Sequence, residues 1–160
     1  MKIKHLAGQH ICQPVIFPFG TTKCEFYFTE KSKYFINSED QYDWNKLIGV
    51  TANLADPSKN ASMIAWRYHP RLGCFQVTPY FNVNKKQIYE QDIINLKVNQ
   101  KCFGEANKDR VFISSDEKII DQKVPSGLKS WIWFRIQPWF GGNTTPKTDV
   151  EYEMILNSLM

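Results

Sequence analysis

Apolar and polar residues alternate one by one along much of this chain, and this period of two constrains the fold more than any other feature. The pattern runs through residues 24–29, 64–69, 94–98, 132–136 and 150–156. Successive side chains of a β-strand point to opposite faces of the sheet. Each segment is therefore predicted to be a strand with one face buried and the other open to solvent or to a partner.

The choice of apolar residues also favours strands. The chain has 31 β-branched residues (Val, Ile and Thr) and 23 aromatic residues, but only 14 residues of Ala and Leu together. Stiff β-branched side chains and flat rings suit a pleated surface better than a helix. No long window has helical periodicity, and only residues 86–97 leave a short helix open.

Turn chemistry separates the predicted strands. Asn, Asp, Pro, Gly and Ser are concentrated at residues 56–60, 70–73, 82–85 and 114–117. Strands that recur at this spacing are typical of sandwiches and jelly rolls. We expect residues 1–160 to form a single all-β domain, an antiparallel β-sandwich of jelly-roll type, with residues 1–20 as an extended N-terminal arm.

Charge and hydropathy argue against two classes of partner. The net charge is +4, but the 20 basic residues are scattered among 16 acidic ones instead of forming a patch that would follow phosphates. No nucleic acid is expected. No apolar run reaches the roughly 18 residues of a spanning helix, so membrane insertion is not expected. The N-terminus lacks the apolar segment of a secretion signal, which favours the cytoplasm of the producing cell or a virion.

Motifs that would indicate a cofactor, a metal or a catalytic centre are absent from the sequence. The four cysteines contain no Cys-x-x-Cys pair, and only three histidines are available. We expect reduced thiols, with Cys12–Cys24 as the first candidate if one disulfide forms. No phosphate-binding glycine loop, His-Glu-x-x-His or Gly-x-Ser-x-Gly motif occurs. The sequence predicts no cofactor, no metal and no catalytic residue.

The candidate binding site lies in the last third of the chain. If Ile132, Phe134 and Ile136 fill the core, the intervening side chains lie on the opposite face of the strand. The candidate ligand or interface residues are Trp131, Trp133, Arg135 and Gln137, with Trp139 in the following loop. Flat rings beside hydrogen-bonding groups bind sugars, and Trp and Arg also anchor protein interfaces. Coverage of this face by the protein itself, by a protein partner or by a glycan stays open.

Other aromatic residues are given structural roles. Trp66 shares the face of Ile64 and is assigned to the core, whereas Trp44 is expected to pack beneath a loop that enters a strand. Residues 137–146 contain two prolines and two glycines, which stiffen a chain and allow a close backbone approach. This segment is predicted to be a rigid corner between the last two strands.

One enzymatic alternative is a polysaccharide lyase. Such an enzyme would use a Tyr or His as the base and an Arg to neutralise a uronate. Arg67, His69, Tyr80 and Arg135 have the right chemistry, although no sequence spacing joins them. A glycosidase would need two carboxyl groups facing each other, and the acidic residues here fall mainly in turns and on polar strand faces.

Three short motifs occur together in this chain. They are Asp-Trp-Asn-Lys-Leu-Ile-Gly at 43–49, Lys-Asn-Ala at 59–61 with Trp66 and Arg67, and Pro-Trp-Phe-Gly-Gly-Asn at 138–143 followed by Pro146. With these motifs the chain resembles a group of largely uncharacterised β-sandwich proteins of gut Bacteroidetes and their phages. The resemblance implies a jelly-roll fold and a virion or cell-surface setting, but no reaction. The group has Pro-His-Asp where this chain has Pro-Lys-Thr-Asp at 146–149, so a role that depends on that histidine is not carried over.

The main functional prediction is a non-enzymatic structural or interaction protein, such as a capsid decoration or another component of a phage virion. Its partner would be a protein in a virion assembly or a second copy in a homo-oligomer. The first alternative is a carbohydrate-binding module that uses an aromatic sheet face. The second alternative is the lyase described above.

Overall fold

The computed structural model describes residues 1–89, 92–126, 128 and 132–157. The strands formed by these residues are β1 Lys2–His5, β2 Cys12–Gln13, β3 Lys23–Phe28, β4 Asn45–Thr51, β5 Asn60–His69, β6 Cys74–Val83, β7 Lys86–Tyr89, β8 Ile94–Leu96, β9 Cys102–Ala106, β10 Arg110–Ser114, β11 Ile119–Lys123, β12 Phe134–Ile136 and β13 Val150–Leu156. Two short 3-10 turns, Glu30–Ser32 and Glu39–Tyr42, lie between β3 and β4. Within these ranges no helix has the length and apolar character needed to span a bilayer.

The strands form two sheets that pack face to face. The first sheet has the order β11-β10-β9-β3-β13-β1-β2, and the second has the order β12-β4-β5-β6-β7, with β8 also paired to β6. All pairings between the described strands are antiparallel. The predicted all-β antiparallel sandwich is therefore confirmed.

A layer of aromatic rings fills the space between the sheets. Phe28 of β3 lies 4.6 Å from Phe75 and 4.7 Å from Trp66, measured between ring centroids, and 5.8 Å from Tyr152. All four side chains are buried. Aromatic pairs at such distances stabilise a core beyond the area they bury, by about 0.5–1.5 kcal/mol each.

The alternation identifies the inner face of most strands correctly. The apolar set in residues 24–28 is buried, as are those in residues 64–68 and 150–154. Trp66 is fully buried, as predicted. The ambiguous segment 86–97 contains β7 and β8 instead of a helix, because the turn at Asn84 and Lys85 brings it back antiparallel to β6.

The N-terminal arm packs on the protein's own body. Residues 2–5 form β1, which lies between β13 and β2 inside the first sheet. Residues 16–18 then run beside β12 of the second sheet, where the N–H of Arg135 donates to Pro18 O at 2.6 Å. Backbone groups of the arm therefore have partners in both sheets.

All four cysteines are free thiols. Cys12 lies in β2 and Cys24 in β3, and the strands β1 and β13 separate them in the sheet. Because neighbouring strands are about 4.8 Å apart, β2 and β3 are about 14 Å apart. A disulfide needs Cα atoms within about 7 Å, so the Cys12–Cys24 pairing is wrong.

We predict that thiol reagents distinguish Cys74 from the other cysteines. Burial raises the pKa of Cys12 to about 11 and that of Cys102 to about 12, and it raises the pKa of Cys24 further. Since the thiolate is the reactive form, the half-buried Cys74 should react first with iodoacetamide at pH 8. Peptide mass spectrometry should find the other three thiols labelled only in denaturant. Rapid labelling of Cys24 in the folded protein would contradict this.

Tyr34 is the centre of a buried hydrogen-bond network. Its Oη accepts from Asn45 Nδ2 at 3.1 Å and from the backbone N–H of Tyr68 at 3.2 Å. Gln41 Nε2 donates to the backbone carbonyls of Tyr34 and Tyr68, at 3.3 and 3.1 Å. The network joins the segment between β3 and β4 to the second sheet. Tyr152 Oη, by contrast, is buried without a hydrogen-bond partner among the described residues.

This contrast predicts opposite outcomes for two chemically identical substitutions. Tyr34→Phe removes the acceptor of two buried donors and should lower the free energy of unfolding by about 1–3 kcal/mol. Tyr152→Phe removes a hydroxyl with no such partner and should leave stability unchanged or higher. Urea unfolding of both variants and wild type is the measurement. Equal losses in both variants would contradict the assignment of the network to Tyr34.

Candidate functional site

A groove with a volume of about 780 Å³ lies on the outer face of the second sheet. Strands β4, β5, β6 and β12 supply its floor, residues 15–18 form one wall, and residues 54–58 form another. Trp139 lies at the rim. Ligand pockets in proteins span about 300–1,000 Å³, so this groove has the size of a site for a small ligand.

The floor follows from the same alternation that builds the core. Because Ile64 and Trp66 of β5 point inward, Met63 points outward, opposite Tyr80 of β6 and Gly49 of β4. Ile136 of β12 pairs with Gly49 on the other side. Met63, Tyr80 and Ile136 belong to a second apolar cluster, separate from the main core. The outer face of this sheet is thus apolar as well.

A β-bulge places Lys46 in the groove. The register between β4 and β5 shifts between Lys46 and Ile48, so that Leu47 and Ile48 both enter the main core. A bulge re-aims the neighbouring side chains, and here Lys46 lines the groove beside Tyr80. The backbones of Lys46 and Trp139 exchange two hydrogen bonds, of 2.7 and 2.9 Å. This bridge fixes Trp139 next to Lys46.

Lys46 carries a poorly solvated positive charge. Its Nζ donates to Trp44 O at 2.6 Å and lies 3.9 Å from the centroid of the Tyr80 ring. Burial lowers the pKa of Lys46 to about 8, and attraction to Asp43 offsets only part of this effect. The ammonium group forms no ion pair with any described residue. A partly buried charge without a counter-charge is costly, and this sets Lys46 apart from the exposed lysines that the structure describes.

Arg135 and Gln137 hold the arm against the second sheet. Arg135 Nε and Nη2 donate to Phe17 O at 2.9 and 2.5 Å, and Nη1 donates to Thr21 O at 2.9 Å. Gln137 Oε1 accepts from the N–H of Ile16 at 2.6 Å. Both side chains line the groove. Their hydrogen bonds hold in place the arm residues that form one of its walls.

The face assignment for residues 132–136 is wrong. Ile132 is 62% exposed, whereas Trp133 is partly buried against the main core. Ile136 is buried in the outer apolar cluster and Phe134 is partly exposed. Of these three apolar residues, Ile136 lies in the outer cluster and none belongs to the main core. Trp131 lies outside the described residues.

Trp139 is the predicted site residue that remains open at the groove. Its side chain is 41% exposed, and its ring stacks on His10 with centroids 5.2 Å apart and planes 3° apart. The corner that carries it is rigid. Gly141 N–H donates to Asn45 Oδ1 at 2.7 Å, and a Cβ at Gly141 would lie 2.1 Å from Trp44 O. The predicted structural corner is thus present, with Trp44 buried beneath it.

The walls of the groove expose apolar side chains to solvent. Val15 is 73% exposed and Phe17 is 68% exposed on the arm, and Leu54 of the opposite wall is 46% exposed. Large side chains of this kind beside a cavity mark binding surfaces. Sequence reasoning missed this wall because the hydrogen bonds between the arm and β12 join residues more than a hundred positions apart.

Asn82 provides an unpaired acceptor at the floor. Its side chain is only 5% exposed, and Nδ2 donates to Pro57 O at 3.3 Å. Its Oδ1 is buried with no hydrogen-bond partner within the described part of the chain. Buried carbonyl oxygens nearly always have a donor, so a ligand hydroxyl or N–H would complete this group.

The residues considered for a lyase do not come together. Tyr80 and Arg135 line the groove, whereas Arg67 and His69 do not. Arg67 stacks on Trp44, 4.2 Å from the ring centroid. Burial raises the pKa of Tyr80 above its ordinary value, which opposes a role as general base. In the ranges that the structure describes, no group of His, Cys, Asp and Glu side chains is arranged to hold a metal ion.

A second depression, of about 270 Å³, lies over the first sheet near Glu151. Its charged side chains pair with one another, since Glu151 lies 3.4 Å from Lys2 Nζ and 3.9 Å from Lys31 Nζ. The larger groove, with its unpaired acceptor and its lone ammonium group, is the better candidate site.

No protein-family model matches this chain, and no curated protein matches its sequence. Among solved structures the chain is similar to the carbohydrate-binding module CBM66 from Bacillus subtilis, with 12% sequence identity and a TM-score of 0.39. The alignment covers 89% of this chain and 80% of that one. A likeness of this strength carries no argument about ligand or activity.

The buried position of Lys46 predicts a specific dependence of stability on pH. With a pKa of about 8 in the folded state and an ordinary value of 10.5, Lys46 is neutral when folded and charged when unfolded between these values. The free energy of unfolding then rises with pH across this window. Lys46→Met should lose this rise, so wild type should gain stability relative to the variant from pH 8 to 10.5.

Urea unfolding at pH 8, 9 and 10 measures this difference. Lys97→Met, which removes an exposed lysine outside the groove, is the matched control. Parallel pH curves for wild type and Lys46→Met would show that the Lys46 ammonium group is as well solvated when folded as when unfolded.

Proposed function

We propose that this protein is a carbohydrate-binding β-sandwich whose ligand occupies the groove on the second sheet. One observation carries the proposal: an exposed indole, a buried unpaired amide oxygen and an ammonium group line the same concave surface. This proposal moves the sugar platform from the predicted face of β12 to the outer face of β4, β5 and β6.

The aromatic part of the site suits a sugar ring. Trp139 is held by its backbone bridge to Lys46 and by its stack on His10, so its orientation is fixed before a ligand arrives. A preorganised ring loses little conformational entropy on binding. The C–H face of a pyranose or furanose would pack against the exposed part of this indole, and Phe17 would add apolar contact from the arm.

The polar part of the site suits hydroxyl groups. Asn82 Oδ1 can accept a hydrogen bond from a sugar hydroxyl, and the exposed Gln87 lies at the same end of the groove. Gln137 uses its Oε1 on the arm, which leaves its Nε2 to donate. A site built to hydrogen-bond hydroxyl groups disfavours ligands that lack them.

The two other functional interpretations differ in the support that they have. The virion or homo-oligomer interpretation stays a prediction from the sequence, and the exposed apolar wall would also serve a protein partner. The lyase interpretation loses support because Arg67 and His69 lie away from Tyr80. The groove therefore favours binding over sugar cleavage.

Glycan binding can be tested with an array that includes neutral and acidic plant, algal and bacterial polysaccharides, followed by calorimetry on the hits. Trp139→Ala should weaken binding by about tenfold or more, in line with the loss of an aromatic anchor. Asn82→Ala should weaken it by about three- to tenfold through one hydrogen bond. Phe35→Ala, which removes an exposed aromatic residue outside the groove, should leave affinity unchanged.

Two outcomes would overturn the proposal. One is the absence of binding to every glycan on the array. The other is binding that survives both groove substitutions, which would place the sugar elsewhere on the molecule. The fold of each variant is checked by circular dichroism before its affinity is interpreted.

A further inference from the structure

We infer that the groove selects acidic sugars and that Lys46 binds the carboxylate of a uronate residue. This inference rests on the proposed function and adds the chemical class of the ligand. Its basis is the charge distribution around the groove, where the Lys46 ammonium group forms no ion pair with a described residue.

The other charged residues of the groove have their partners within the protein. Asp56 accepts from Ser58 Oγ and lies 3.6 Å from Lys85 Nζ. The Arg135 guanidinium donates to carbonyl oxygens of Phe17 and Thr21 from each of its three nitrogens. Each of the three guanidinium nitrogens is thus directed at a backbone carbonyl of the arm, whereas Lys46 directs one of its three N–H bonds at a carbonyl.

Lys46 has N–H donors left for a ligand. Of its three N–H bonds, one is directed to Trp44 O, and the ammonium group lies over the face of Tyr80. Asp43 acts on it through space without an ion pair. An ammonium group that donates to one carbonyl and faces one ring can still donate to a carboxylate.

The surroundings strengthen such a pair. Met63, Ile136 and the Tyr80 ring make the neighbouring floor apolar, and a Coulomb interaction is several times stronger there than in water. The lowered pKa of Lys46 has the same origin, since burial penalises the charged form. A bound carboxylate would offset that penalty, because it supplies the counter-charge that Lys46 lacks among the described residues.

A uronate suits the groove in both its charge and its ring. Lys46 offers N–H donors on one positive charge, and a carboxylate supplies one negative charge to pair with it. The apolar floor and the exposed Trp139 provide surface for a sugar ring beside that carboxylate.

The test compares oligouronides with the same oligosaccharides after chemical reduction of their carboxyl groups to alcohols. Calorimetry at pH 7 and low salt gives both affinities for the full chain. Wild type should bind the oligouronide about tenfold more tightly or better, as expected for a desolvated charge pair. Lys46→Gln and Lys46→Met should bind both sugars equally, at the affinity of wild type for the reduced sugar.

Lys46→Arg retains the charge and should retain a preference for the oligouronide, which guards against a loss caused by misfolding. Lys97→Met, an exposed lysine outside the groove, should behave as wild type. Equal affinity of wild type for the two sugars would overturn the charge preference and leave the proposed function standing. Binding of neither sugar, together with a blank glycan array, would overturn both.

Discussion

The packing of Phe28 against Trp66 and Phe75 is the constraint from which the rest of the molecule follows. These rings fix which face of β3, β5 and β6 points inward. In a strand the opposite face is then fixed as well, so Met63, Tyr80 and Asn82 must point outward together. The groove therefore lies on the outer face of the sheet whose inner face packs in the core. Its floor is part of a packed sheet and is rigid for that reason. Sites on such elements hold their geometry better than sites on loops.

Part of this arrangement is readable from the sequence. The inward residues of β3, β5 and β13 follow from alternation alone, and so do the hairpin turns that join β6 to β7 and β10 to β11. Alternation identifies a buried face only when the other face is polar. It fails at β12 because the second sheet has apolar side chains on both faces, so Ile136 marks the outer cluster and Trp133 the core.

The candidate site was less predictable because its parts meet only in three dimensions. The wall formed by the arm depends on hydrogen bonds from Arg135 to carbonyls more than a hundred residues earlier in the chain. Lys46 enters the groove because of a β-bulge, which no local sequence pattern predicts. Asn82 looks like an ordinary turn residue until the burial of its amide oxygen is known. Trp139 was identified as a candidate from the sequence of its loop, but its contacts in the groove were not.

The contact between the arm and β12 covers an edge of the second sheet. Strand β12 ends the second sheet, and an uncovered terminal strand invites pairing with another molecule. Here Pro18 O accepts the N–H of Arg135 and the guanidinium engages Phe17 O, so the arm closes off that border. The arm residues that form one wall of the groove thus also cover the edge of the sheet. Substitutions that loosen the arm would expose the backbone of β12 as a template for aggregation.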